Sequence, residues 1–120
     1  MRKWPIALVF MLFALSSLAA KTARYERVGG DVKPPKILHA VYPKYPEAAR
    51  KARVTGIVIV EAKINEKGGV DGVTVQKGLG HGLDEAATDA VRQFTFAPAT
   101  KAGKPVAVIF EVPVSFRLSD

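Results

Sequence analysis

Two histidines, a trio of nearby carboxylates and a glycine-rich loop are the groups in this 120-residue sequence that could do covalent or metal chemistry. His39 and His81 stand 42 positions apart, and neither is paired with a carboxylate at ligand spacing. Asp84, Glu85 and Asp89 fall on a helical pattern, where they read as a solvated face, with the first two favoured by the helix dipole. Gly78-Leu79-Gly80-His81-Gly82 lies between a strand pattern and a helix pattern, as a phosphate loop would. A dinucleotide fingerprint, however, needs glycine at position 83, which is Leu83, and the Gly-Lys-Ser/Thr of a P-loop is absent. With no cysteine in the chain, thiol nucleophiles, thiolate metal sites and disulfides are excluded. The expectation is a protein with no catalytic residues, no metal site and no cofactor.

A different kind of chemistry sits in the backbone. Residues 105–116 alternate, with Val106, Val108, Phe110, Val112, Val114 and Phe116 on one face and Ala107, Ile109, Glu111, Pro113 and Ser115 on the other. Proline has no N–H to give a ladder, so within a sheet it belongs on an edge with its nitrogen turned outward. A long edge strand exposes a row of donors and acceptors to any extended partner. It is either blunted by Glu111 and Pro113 or meant to accept a strand.

The preceding elements must position that edge. Residues 56–65 alternate, with Val58, Val60, Ala62 and Ile64 on one side, and residues 70–77 return after an Asn65–Gly69 turn, predicting a hairpin. Leu83, Ala86, Ala87, Ala90, Val91 and Phe94 form an apolar stripe over three helical turns. A shorter helix is expected over residues 46–53, opened by Pro46. Residues 37–42 form a short apolar run that could pair as a strand.

Upstream, Arg2 and Lys3, an apolar run over residues 6–15 and small residues to Ala20 predict a signal peptide over residues 1–20. The alternative is an uncleaved inner-membrane anchor facing the periplasm; its apolar stretch of 17 residues is at the lower limit for spanning. Residues 21–36, with Gly29-Gly30 and Pro34-Pro35, read as an extended linker reaching about 55 Å. Residues 37–120 are one domain. The formal charge of +7 comes from scattered basic residues, with no clustered reading face for nucleic acid.

In order and spacing, the domain resembles the TonB family's C-terminal domain. The resemblance runs over residues 36–118 and rests on Tyr45-Pro46-x-x-Ala49-Arg50, Gly56, Gly68-x-Val70 and Gly82-Leu83-Asp84-x-Ala86-Ala87. It continues through Ala90-Val91-Arg92-x-Phe94-x-Phe96-x-Pro98-Ala99 and Gly103-x-Pro105-Val106. It implies an α+β fold, two helices packed on one face of a three-stranded antiparallel sheet. It also implies a periplasmic module that docks the TonB box of an outer-membrane transporter, or another extended peptide, by strand addition, serving energised transport. Inner-membrane motor proteins would be partners if the chain is anchored. Sites implied for the peptide are Tyr42, Tyr45 and Pro46, together with Val106, Ala107, Val108, Ile109, Phe110, Glu111 and Val112, with pairing concentrated ahead of Pro113. About five backbone bonds at ~1 kcal/mol each would little more than offset ~2–5 kcal/mol of peptide ordering, so binding near micromolar is expected. The alternative reading is a structural envelope protein that forms a homodimer through the same edge.

Overall fold

A computed structural model describes residues 24–119, so the expected signal peptide, residues 1–20, lies outside the described residues. Among the described residues no helix is long and apolar enough to cross a membrane.

The central hairpin forms as its alternation dictates. Strands β4 (Gly56–Ile64) and β5 (Val70–Lys77) pair antiparallel. Asn65 closes their turn, accepting from the Lys67 and Gly69 N–H groups at 3.0 and 2.9 Å. Strand β9 (Val108–Phe116) pairs antiparallel with β4 along its whole length, from Ile64↔Val108 to Gly56↔Phe116, without a bulge. That register sets Val58, Val60, Ala62 and Ile64 opposite Val114, Val112, Phe110 and Val108. These residues line one face; all are buried except Phe110, which packs against them half-buried.

Helix α1 (Glu47–Lys51) and helix α2 (Leu83–Arg92) close that face. From α2, Leu83, Ala87, Ala90 and Val91 enter the core, and Ala49 enters it from α1. The alanines give α2 a narrow face that can lie close to a sheet. Asp84 faces back from the first turn of α2 and accepts from the N–H groups of Leu79 and Gly80 at 2.8 and 3.3 Å. The glycine-rich loop is thus held by a carboxylate that the sequence had suggested was merely solvated.

The fold is α+β with two helices, but a three-stranded sheet understates it. The sheet carries a fourth strand, β1 (Glu26–Arg27), parallel to β9, in the order β1-β9-β4-β5. A second, three-stranded sheet is made by β2 (Val32–Lys33), β7 (Ala99–Lys101) and β8 (Lys104–Val106), and β3 (Lys36–His39) pairs with β6 (Thr95–Ala97). These extra strands are two to four residues long, too short for a period of two to declare itself. Residues 105–116, expected as one strand, divide at Ala107: β8 pairs with β7, and β9 pairs with β4. Pro105 fits β8 because Lys101↔Lys104 closes the hairpin, leaving Thr100↔Pro105 as the next pair, where no N–H is required.

Candidate functional site

The outer edge of β9 is positioned by its ladder with β4. Its backbone direction follows from one bond: the Glu26 N–H donates to the Ala107 carbonyl at 2.8 Å, in the register Glu26↔Val108 and Arg27↔Ile109. In a regular strand successive residues direct their N–H and C=O groups to opposite edges. Ile109, Glu111, Pro113 and Ser115 therefore present theirs away from β4. Pro113 sits on this edge with its donor-less nitrogen outward, opposite Ile59. Beyond Ile109 no strand pairs with this edge among the described residues. A shallow cleft of about 260 Å³, lined by Thr55, Gly56, Ile57, Ser115, Phe116 and Arg117, lies at its far end.

The stretch read from sequence as an extended linker contributes directly to the site. Besides pairing at β1, its side chains grip three places on the two sheets. Arg27 Nη1 lies 3.1 Å from Glu61 Oε2, and Lys101 Nζ lies 3.1 Å from Glu26 Oε1. The Tyr25 hydroxyl donates to Asp71 at 2.6 Å, and Lys63 Nζ lies 5.5 Å from the centre of the Tyr25 ring. Further along, Val32 is buried in the core. Glu61 stands directly opposite Glu111 in the ladder, an arrangement that destabilises a sheet unless it is compensated. Arg27 and the Gln76 amide, which donates to the same Glu61 oxygen at 2.6 Å, supply the compensation.

These contacts move protonation equilibria. The hydrogen bond from Tyr25 holds the Asp71 carboxyl below its usual value, with a further bond from Asn65, and the same contact raises the Tyr25 phenol. Glu26 raises the Lys101 ammonium.

Of the residues expected to bind a peptide, Val108 and Val112 have buried side chains and turn their backbone groups toward β4, while Glu111 is exposed. Val106, Ala107, Ile109 and Phe110 are half-buried. Val108 and Ile109 already have β1 beside them. Tyr45 and Pro46 form a packing corner: the Tyr45 ring meets Phe116 edge-on at 5.6 Å and its hydroxyl donates to the Val54 carbonyl. Tyr42 is 97% exposed. It lines a groove of about 570 Å³ between residues 41–44 and the face of α2 that carries Ala86 and Asp89, with Gln93 just past its end. The fold therefore divides Val106, in β8, from residues 108–112, in β9, and does not bring Tyr42 to either by any described contact. Sequence reasoning missed Tyr25, Glu26 and Arg27, because two residues of strand are too few to show a pattern. Among the described residues no cluster of three or more His, Asp or Glu could hold a metal ion.

Comparison with known proteins matches residues 41–118 to the family described as the Gram-negative bacterial TonB protein C-terminal. Protein TonB of Xanthomonas campestris pv. campestris is 41% identical over 78 residues, 64% of this chain and 35% of that protein. Protein TonB of Vibrio cholerae is 32% identical over 87 residues, 72% of this chain and 36% of its own length. Protein tonB2 of Pseudomonas aeruginosa is 32% identical over 83 residues, covering 68% and 31%. The chain thus spans about a third of the length of the curated relatives it matches.

Proposed function

This chain belongs to the TonB C-terminal family, and from that premise we propose that it is a periplasmic docking module in TonB-dependent transport. It pairs with extended segments of outer-membrane transporters by adding them as a strand to β9. The observation that carries this reading is the outward row of backbone groups on Ile109, Glu111, Pro113 and Ser115, of which, among the described residues, only Ile109 has a strand partner. Strand addition draws its affinity from main-chain bonds and its selectivity from alternate side chains.

Pro113 limits what such a strand gains. Past β1, the outward donors are the Glu111 and Ser115 N–H groups, and the acceptors are the carbonyls of Glu111, Pro113 and Ser115. Each bond is worth about 1 kcal/mol net, so apolar contacts with neighbours such as Ile57, which is 51% exposed beside Ser115, must supply the remainder. The expected dissociation constant is micromolar or weaker.

The test is a two-dimensional NMR titration of the full chain with a synthetic TonB-box peptide. Shifts should centre on the amides of residues 109–116 and spare those of β5. An absence of shifts at millimolar peptide, or shifts confined to the Tyr42 groove, overturns the reading.

A further inference from the structure

The docking edge already holds a strand. β1 lies on β9 in parallel, at the end of the edge where the sequence concentrated peptide pairing. We propose that residues 25–27 are a resident strand, locked by charge, which a partner must displace to use the upper half of the edge. The inference rests on the docking reading for its consequence, but whether the segment is resident is measurable without any partner.

Three features support a releasable lock over a permanent part of the sheet. The pairing covers two residues, Glu26 and Arg27, while β9 and β4 share nine register pairs. Its own ends of the fastenings are solvent-facing: the Arg27 side chain is 71% exposed against a 19% exposed Glu61, and those of Lys101 and Glu26 are 43% and 38% exposed. Exposed pairs of this kind contribute little each, and elements with few buried contacts open first. Finally, the lock has a charge logic. Glu61 faces Glu111 across the ladder, and Arg27 comes from the resident strand to sit against Glu61. Release exposes a pair of facing carboxylates, so at residues 25–27 the segment holds on through a charge complement, while its apolar hold, Val28 and Val32, lies just downstream.

The test uses the full chain with Arg27→Lys, Arg27→Gln and Arg27→Glu, plus Tyr25→Phe as a variant that leaves the charges alone. The first readout is hydrogen exchange at the Ile109 amide, which faces β1, against the Val112 amide, which faces β4. Exchange at Ile109 should stay near native in the Lys variant, rise a few-fold in the Gln variant and rise about tenfold in the Glu variant. Val112 should change less than twofold throughout, showing that the fold persists. Tyr25→Phe should raise Ile109 exchange without the salt sensitivity of the Arg27 series. The second readout is TonB-box peptide affinity, which should tighten about threefold in the Glu variant. Ile109 exchange indifferent to the charge at position 27 overturns the proposal, as does affinity that is unchanged or weakened in the Glu variant. A peptide that binds no form of the chain sinks the docking reading instead, and the exchange series then decides residency alone.

Discussion

At the scale of single residues, three positions carry more than their size suggests. Gly68 has φ +89° and sits so close to β6 that an added Cβ would lie 1.8 Å from the Phe96 carbonyl oxygen. The Phe96 N–H in turn donates to the Gly68 carbonyl at 3.0 Å. Gly68→Ala should therefore cost at least ~2 kcal/mol from backbone strain and displacement of β6, measured by urea unfolding. Ala102 shows the opposite case. With Gly103 it forms the two-residue β7–β8 turn, and both have positive φ, 53° and 78°. That is the geometry Asn-Gly adopts most readily, and no contact in the structure explains alanine there. Ala102→Asn should stabilise the protein by about 0.5–1 kcal/mol in the same measurement. Asp71 gives a pH signature. Its folded-state value is lowered by Tyr25 and Asn65, so its contribution is present above the ordinary carboxylate value of about 3.9 and is lost as pH falls through the lowered value. Tyr25 and Lys101 are raised, so their contributions hold below about pH 10 and fade above it. Protection of the β1 amides should accordingly be flat between about pH 4 and pH 10 and fall on either side, as read by exchange corrected for its intrinsic pH dependence.

At the scale of elements, what the sequence made legible were the long ones. β5 begins and ends at Val70 and Lys77 as the pattern indicated, and β4 differs from it by one residue. The stripe on α2 points into the core as its spacing required, with Ala86 and Phe94 packed against the margin. Residues 95–106 were not legible because Pro98 and Pro105 break the alternation into pieces; β6 and β7 draw partners from β3 and β2 far upstream, and β8 is only three residues long. The same holds for β1: Tyr25, Glu26 and Arg27 earn their roles from Asp71, Lys101 and Glu61, none of which is local. The edge itself could be read, through Pro113, but its occupancy could not. The importance of the long ladder is testable by proline placement. Val112→Pro removes a donor directed at β4 and should unfold the domain, whereas Ile109→Pro removes one directed at β1 and should leave Val60 and Val114 protected in hydrogen exchange. The β4-facing loss is expected to exceed ~3 kcal/mol, the scale of an interior proline.

For the whole molecule, the edge raises the question of self-association. Two copies pairing through it would each offer Glu111 and Ser115 donors around a Pro113 that offers none, and would set one Glu111 near the other. Backbone pairing so interrupted gives little to hold two chains together, and sedimentation velocity should show a monomer throughout the micromolar range. A dimer there would favour the scaffolding reading, and Ile109→Pro should then disperse it.

The proline on the open edge also bears on time. A strand held by the few donors on either side of Pro113 with micromolar affinity, and arriving at about 10⁵–10⁷ M⁻¹s⁻¹, departs at roughly 0.1–10 s⁻¹. An engagement would thus last from about a tenth of a second to about ten seconds. On the proposed docking, Pro113 would shorten each encounter by withholding one N–H, so that one module would turn over its partners quickly.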